Sequence, residues 1–505
     1  MARLRPLLPP LAGIAALTAL VAAAFGAGRL LNYDTAYSLL WGSELAGGSI
    51  PDVQVAYAPT QHPLATALGF LLTLPGTGGL PHGETAMAIW ELLGLVFLGV
   101  LGWLVWALGR AWFGAGAGLV AAAIVLTREP VLSFGVRAYV DIPYLCLLLG
   151  ALLVETRRPR AGGAVLGLLA LAGLLRPEAW LFSLAYLAWL RHNGVLRPAH
   201  LAIAACGPGL WALTDLIQTG NPIASFTETH EAADKLGRVT GIQNVPETLP
   251  RRLGEILREP GLLAAAGGGV LAWLHLRDRA RLPAVAGVLA VAAFVVLATA
   301  GLPILTRYLL LPATILAVFA GAGLFGWTQL EPGHRWRHRW MAFAALCAAL
   351  FAGFGPGQVD RLQRTERALR DQRAILGELR TLSPAVAGPC RATVPNRRPV
   401  PHLALWTGHP PTASARRRRT AATRCRRSPR RLRRSRRSSS STPATPSPTC
   451  RRSPPAPRRC GDAGGCSPAA AAEHPPHQGQ RTVTVFGAVI TPARPESPAQ
   501  PATTV

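Results

Sequence analysis

Residues 86–109 read AMAIWELLGLVFLGVLGWLVWALG, an unbroken apolar run in which Glu91 is the only charged side chain. A helix of this length covers roughly 36 Å, and the hydrocarbon core of a bilayer is about 30 Å thick. The run therefore predicts a membrane-spanning helix. Because a charge inside such a helix is unfavourable, we expect Glu91 to face other helices and not lipid.

Similar runs fill most of the chain up to residue 356. Half of the 505 residues are apolar, a share typical of a chain with many membrane helices. We therefore predict an all-α, polytopic membrane protein of about eleven transmembrane helices. The predicted spans lie near 7–28, 86–109, 115–135, 142–154, 162–175, 179–190, 199–217, 260–276, 282–300, 308–330 and 340–356.

Arginines in alternate turns predict the orientation in a plasma membrane. Cytoplasmic turns are enriched in Lys and Arg, so the N-terminus is predicted to be cytoplasmic and the C-terminus extracytoplasmic. The outer loops are then 29–85 and 219–259. The basic start of 7–28 is also typical of a signal peptide, but ten further spans favour a retained helix. The inner turns contain Arg110, Arg157, Arg158, Arg160, Arg191, Arg197, Arg277, Arg279, Arg281, Arg335, Arg337 and Arg339.

The last ninety residues differ from this core in composition. Residues 413–480 contain 17 of the 52 Lys and Arg residues, and their only large aliphatic side chain is Leu432. A segment so poor in apolar residues is predicted to be disordered, and 413–505 form the predicted low-complexity tail. We hypothesise that a frameshift in a GC-rich gene produced it, which resequencing would test. The tail lacks interleaved aromatic residues and lies on the outer side, so no nucleic acid partner is expected.

The tail also contributes most of the net charge of the chain. Residues 1–412 have 33 basic and 22 acidic side chains, a net charge of +11, whereas the whole chain has a formal net charge of +27. Between core and tail, 357–412 is predicted to hold an amphipathic helix at Val359–Leu382. A partial extracytoplasmic domain should follow, in which Val394–Trp406 forms a strand or loop.

The eight cysteines show neither metal nor disulfide spacing.

The first outer loop opens with Tyr33-Asp34-Thr35-Ala36-Tyr37. If 33–46 is a helix, Asp34, Tyr37 and Trp41 share one face. A carboxylate beside aromatic rings suits a sugar hydroxyl, since the rings stack on the sugar and the carboxylate accepts a proton. The alternative is that Asp34 only caps the helix.

His62 precedes a short apolar run, 64–75, which we expect to lie in or dip into the outer interface. Its imidazole could orient a phosphate or a hydroxyl group. A structural role for an interfacial histidine is the alternative.

The densest outer polar cluster runs from Arg128 and Glu129 to Arg137 and Asp141. Asp141 precedes Ile142-Pro143, so capping of the next span is its alternative role. Arginine suits phosphate because its planar fork donates two parallel hydrogen bonds, and Arg137, Arg176 and Arg307 all fall at outer helix ends. Pairing between Arg176 and Glu178 would equally account for both of those side chains.

Read together, these positions resemble the polytopic glycosyltransferases of the GT-C superfamily, which includes the protein O-mannosyltransferases and the aminoarabinose transferases of lipid A. The resemblance depends on the order and sidedness of short motifs. The motifs are Tyr33-Asp34-Thr35-Ala36-Tyr37, His62-Pro63-Leu64, Asp141, Arg176-Pro177-Glu178 and Arg307-Tyr308.

The resemblance implies a sugar donor on a polyprenyl phosphate and a lipid, glycan or protein acceptor, with hexosyl or pentosyl transfer at the outer face. It implies Asp34 as general base and Asp141 as a second acid that positions a substrate. Residues implied to bind substrate or lipid phosphate are Tyr37, His62, Arg137, Arg176, Glu178, Arg307 and Tyr308. The resemblance implies no cofactor. Many members have adjacent Asp-Glu where this chain has Asp34-Thr35, so whether the protein uses a divalent metal is left open.

Two other functions remain open at this point. A transporter or flippase of lipid-linked sugars would also carry polar groups in a membrane, but the sequence shows no convincing internal repeat and its acids gather on one side. A catalytically inactive scaffold is the third possibility, favoured by the shortened Asp34-Thr35 motif.

Overall fold

The computed structural model describes residues 8–55, 57–74, 84–386, 394, 396–408 and 411. Within these ranges all regular secondary structure is helical, which confirms the all-α prediction. The predicted tail lies outside the described residues. The first helices are α1 (Leu8–Phe25), α2 (Tyr33–Ala46), α3 (Pro63–Thr73), α4 (Glu84–Phe113), α5 (Ala115–Leu126), α6 (Glu129–Val136), α7 (Asp141–Arg157) and α8 (Gly163–Gly173). The others are α9 (Ala179–His192), α10 (Pro198–Thr219), α11 (Ala224–Lys235), α12 (Val245–His275), α13 (Arg277–Thr299), α14 (Leu310–Phe325), α15 (Arg337–Val386) and α16 (Val400–Thr407).

The helices form a multi-pass membrane protein, but the count of eleven crossings is not confirmed. In the described part of the chain, six helices are long and apolar enough to cross a membrane, or seven if the pair α5 and α6 is one span. That pair is bent by 67°, so the predicted span 115–135 is a broken helix. Helix α8, in the predicted span 162–175, has 11 residues, or about 16 Å, and is too short to cross alone.

Glu91, the single charge in the run 86–109, faces protein as expected. Its Oε2 atom lies 2.9 Å from Nη1 of Arg373 and 3.5 Å from Nε of Arg29. The buried carboxylate therefore ties α4 to the long helix α15 and to the segment between α1 and α2. Such pairing offsets the unfavourable transfer of a carboxylate out of water.

Helix α14 lies at the centre of the bundle because glycines let its neighbours approach closely. A Cβ atom at Gly268 of α12 would overlap the α14 backbone, and one at Gly321 of α14 would overlap the backbone of Ala117 in α5. Small residues at such contacts are typical of membrane helices. The packing fixes the short 3₁₀ turn Thr306–Leu309 that leads into α14 and carries Arg307.

Helix α15 is one continuous helix of 50 residues. It combines the predicted span 340–356 with the predicted amphipathic helix Val359–Leu382. Where a strand or loop was expected, residues 400–407 form α16, so that prediction is wrong. Pro401 in its first turn and the left-handed Gly408 at its end are typical helix boundaries.

Candidate active site

Helix α2 spans residues 33–46 as the sequence predicts, and Asn32 caps its start. The Oδ1 atom of Asn32 accepts hydrogen bonds from the backbone N–H of Asp34 at 2.7 Å and of Thr35 at 3.3 Å. Its Nδ2 donates to the carbonyl of Arg137 at 3.1 Å, which joins the start of α2 to the end of α6. Asn32 thus satisfies the free N–H groups of the first turn. The alternative role of Asp34 as the cap is wrong, and its carboxylate is left for other contacts.

The carboxylate of Asp34 pairs with Arg307, a residue 273 positions away in the chain. Arg307 Nη1 donates to Asp34 Oδ2 at 3.1 Å, and the two side chains are 20% and 19% exposed. A charge-assisted bond of this kind orients the carboxylate. Because both groups are partly exposed, a substrate can reach them.

A second acid–arginine group is buried nearby and contains Asp141, Arg176 and Glu178. Arg176 Nε donates to Glu178 Oε1 at 2.7 Å, and Arg176 Nη1 donates to Asp141 Oδ1. The predicted pairing of Arg176 with Glu178 is therefore present, with Asp141 as an additional partner. Asp141 is the first residue of α7 and makes no capping bond. Its other oxygen, Oδ2, is buried without a hydrogen-bond partner among the described residues.

Tyr308 lies between the two groups. The guanidinium carbon of Arg176 is 4.3 Å from the centre of the Tyr308 ring, and that of Arg307 is 5.8 Å from it. Cations over an aromatic face are attracted by its electron-rich surface. The ring of Tyr308 therefore brings the positive charges of Arg176 and Arg307 to one place.

A small cleft of about 20 Å³ opens at this point. Its polar lining residues are Asp141, Glu178, Arg307 and Tyr308. The other lining residues are mostly apolar and come from α7, α9, α13 and α14. These are Tyr144, Leu145, Phe182, Ala290, Ala293, Phe294, Leu297, Leu310 and Leu311.

His62 lies immediately before α3 and makes no capping bond. Its Nδ1 is buried without a hydrogen-bond partner among the described residues, and its ring meets the edge of Trp211 at 6.3 Å. Burial lowers the pKa of His62 to about 4; Asp34 acts in the opposite direction, and Arg176 and Arg307 add to the decrease. His62 is therefore neutral at neutral pH, and charges of both acid–arginine groups act on it.

Tyr37 is fully buried one turn along α2. Its ring lies 5.0 Å from that of Tyr33 and 5.2 Å from that of Trp41. Burial raises the pKa of Tyr37 to about 12. The rings of Tyr33, Tyr37 and Trp41 form an aromatic row along α2. Tyr37 is not among the residues that line the cleft.

Arg137 ends α6 next to Tyr139. Its Nε is buried without a hydrogen-bond partner among the described residues. Burial raises the pKa of Tyr139, Asp34 raises it further, and Arg137 and Arg307 lower it. The charges of Arg137 and of the Asp34–Arg307 pair therefore all act on Tyr139.

The other half of the predicted Arg128–Asp141 cluster points elsewhere. Glu129 pairs with Arg258 at 3.1 Å, at the residue where α12 kinks. Arg128 donates from Nε to the carbonyl of Ile124 at 3.1 Å. These side chains connect α5 and α6 to α12, and only Arg137 and Asp141 belong to the site.

Two residues near the site were not predicted from the sequence, Asn32 and Arg238, whereas Tyr139 belongs to the predicted outer polar cluster. Asn32 two residues before Asp34 is a helix-start signal that could have revealed the cap. Arg238 follows α11 in the predicted second outer loop; burial lowers its pKa, with Arg307 adding to the decrease. No local pattern in the sequence predicts this influence of Arg307 on Arg238.

Comparison with known proteins agrees with the resemblance deduced from the motifs. Residues 57–300 match the model of Glycosyltransferase family 87. The match covers 244 of the 505 residues and agrees with the resemblance to glycosyltransferases. The matched segment contains His62, Asp141 and Arg176, while Asp34 and Arg307 lie outside it. No curated protein matches the chain.

Two solved structures are similar to the chain. The crystal structure of ArnT from Cupriavidus metallidurans bound to undecaprenyl phosphate has a TM-score of 0.48 and 16% sequence identity, covering 79% of this chain and 84% of that one. The same protein in the apo state has a TM-score of 0.44 and 17% identity, covering 81% of this chain and 86% of that one.

Proposed function

We propose that the protein transfers a hexose or pentose from a polyprenyl-phosphate donor to a hydroxyl group of a lipid, glycan or protein at the outer face of the plasma membrane. The observation that carries the proposal is the cleft beside Tyr308, where the carboxylates of Asp141 and Glu178 and the guanidinium of Arg307 lie among apolar side chains. Asp34 does not line the cleft but pairs with Arg307, which does. A sugar joined to a phosphate and a long isoprenoid chain has the same division of polar and apolar parts.

Asp34 is proposed as the general base. Within the described residues its hydrogen bond to a side chain uses Oδ2 only, so Oδ1 is available to an acceptor hydroxyl. The acceptor oxygen forms a bond to the anomeric carbon while Asp34 takes the hydroxyl proton. The bond between that carbon and the phosphate oxygen breaks, and polyprenyl phosphate leaves with the electron pair.

Arg307 is proposed to stabilise the negative charge that grows on the leaving phosphate. It lines the cleft, is partly exposed, and has a single acidic partner. Arg176 differs because two carboxylates already neutralise it. We therefore assign Arg307 the direct phosphate contact and give Arg176 and Arg137 supporting roles around it.

Asp141 and Glu178 are proposed to bind hydroxyl groups of the sugar. Both line the cleft, and Arg176 fixes one oxygen of each. The unpartnered Oδ2 of Asp141 is a buried acceptor that a sugar hydroxyl would satisfy. Neutral His62 and the ring of Tyr308 are also proposed to belong to the site. The aromatic row that includes Tyr37 is proposed to stabilise the position of α2.

The test uses Asp34→Asn in membranes supplied with a polyprenyl-phosphate sugar and an acceptor. Loss of a general base is expected to slow transfer by about 10²–10⁴-fold while the protein still inserts. Glu44→Gln is the matched control, because Glu44 lies at the other end of α2 and, among the described residues, its carboxylate accepts a hydrogen bond only from the backbone N–H of Asp52. Unchanged transfer in Asp34→Asn would refute the assignment of the base. Movement of labelled lipid-linked sugar between leaflets without any acceptor would favour a transporter instead.

A further inference from the structure

A second concave surface lies between α12 and the beginning of α15, at the other end of the bundle. It is an open groove of about 460 Å³. Its lining consists of Ala266, Gly267, Val270 and Leu271 of α12, Trp336 immediately before α15, and Arg339 and Phe343 of α15. That volume falls within the range of small-molecule sites, roughly 300–1,000 Å³. None of these residues takes part in the proposed transfer reaction. We call this surface the Arg339 groove.

The groove exists because α12 has almost no side chains at this point. Residues 266–269 read Ala-Gly-Gly-Gly. The ring of Phe343 lies directly on Gly267, where any Cβ atom would overlap it. The α12 wall is therefore recessed, and its next residue, Val270, is 59% exposed.

The mouth of the groove is positively charged. The Arg339 guanidinium lies 4.9 Å from the centre of the Trp336 ring. No acidic side chain in the described residues forms an ion pair with Arg339, and the residue is exposed. Within the turn 331–339, Glu331 is the only acid, against Arg335, Arg337 and Arg339. The charge complements an anionic group, and the walls complement hydrocarbon.

The groove is far from the active site along the bundle. Trp340 Nε1 donates to the carbonyl of Gly323 near the end of α14, whereas Arg307 precedes the start of α14. The 16 residues of α14 separate the two by about 24 Å. By the predicted topology this is the cytoplasmic end, where basic residues meet anionic headgroups.

We propose that the Arg339 groove binds an anionic phospholipid, with one acyl chain against Val270, Leu271 and Phe343 and the headgroup phosphate on Arg339. The tryptophan beside the arginine suits the boundary between headgroups and hydrocarbon. The inference does not depend on the proposed transfer reaction.

The test measures lipid retention by native mass spectrometry. Full-length protein is reconstituted in vesicles of equal parts phosphatidylglycerol and phosphatidylcholine, then extracted in detergent. We expect preferential retention of phosphatidylglycerol, and about fivefold weaker retention in Arg339→Gln. Arg277→Gln is the matched control, since Arg277 also stacks on a tryptophan, Trp273 at 5.2 Å, but does not line the groove. Arg339→Lys should retain most of the preference.

A second variant tests the apolar part. Ala266 lines the groove and is exposed, so Ala266→Trp should fill the groove and displace the lipid while Arg339 stays in place. Equal retention of the two lipids by the wild type would overturn the proposal, as would an equal loss in Arg277→Gln and Arg339→Gln. A dimer that Ala266→Trp dissociates would also overturn it, because the groove would then be a contact between two copies of the chain.

Discussion

The two acid–arginine groups of the site differ in burial and in charge balance. Asp34 and Arg307 form a one-to-one pair whose side chains are about one-fifth exposed. Asp141, Arg176 and Glu178 are all less than a tenth exposed, and one cation serves two acids. A partly exposed pair can exchange partners with a substrate at little cost, whereas a buried group must keep its partners. We infer that Asp34–Arg307 performs the chemistry and that Arg176 holds Asp141 and Glu178 in position.

The largest expected effect is on stability, from Arg176→Met. Removing the cation leaves two buried carboxylates without a partner, so we expect a loss of about 3–5 kcal/mol in the free energy of unfolding. Denaturation of the purified protein in detergent would measure it. Adding Asp141→Asn and Glu178→Gln removes the unpaired charges and should restore part of the stability. If the triple variant is no more stable than Arg176→Met, lost packing and not charge explains the effect.

Arg307→Met should slow transfer strongly and change stability little, the reverse of what we expect for Arg176→Met. Since Arg307 and Asp34 are partly exposed, stability should change little. Transfer should slow by about 10²–10³-fold, because the leaving phosphate loses the donor that stabilises its growing charge. Steady-state kinetics with varied donor concentration would measure the loss. A drop in stability as large as that of Arg176→Met would remove the distinction between the two groups.

The sequence was a good guide to elements whose signals are local. The apolar runs, the helix at 33–46 and the burial of Glu91 each follow from composition or spacing. Both acid–arginine groups depend on contacts between distant parts of the chain, such as Asp34 with Arg307, which no spacing encodes. The bend between α5 and α6 was missed because both halves are apolar. The helix at 400–407 was not predicted because a proline such as Pro401 fits a strand end or a loop as well as the first turn of a helix.

His62 is affected by both groups and provides a smaller, pH-dependent test. Its pKa of about 4 in the folded protein lies below the 6.5 of a free histidine. The unfolded chain therefore binds the proton first, and stability present above pH 6.5 should decrease as the pH falls toward 4. The slope contributed by one proton is about 1.4 kcal/mol per pH unit.

Denaturation at several pH values would compare the wild type with His62→Gln, which should lack that share of the slope. His402 is a suitable control, because burial likewise lowers its pKa to about 4. His402→Gln should remove a separate contribution of similar size to the pH dependence of stability. An unchanged profile in His62→Gln would show that His62 is more accessible to water than its enclosed Nδ1 indicates.

The smallest effect on stability is expected from Asn32→Ala, and it separates positioning from stability. Loss of the cap should lower the free energy of unfolding by about 1 kcal/mol. Asn32 also fixes the backbone of Asp34 and, through Nδ2, its distance from α6. We therefore expect kcat to fall while KM for the donor changes little, since Arg307 is untouched. Asn32→Ser retains a capping oxygen but lacks the Nδ2 donor. Recovery of stability without recovery of kcat in Asn32→Ser would show that the tie to Arg137 positions the base, whereas recovery of both would assign the whole effect to the cap.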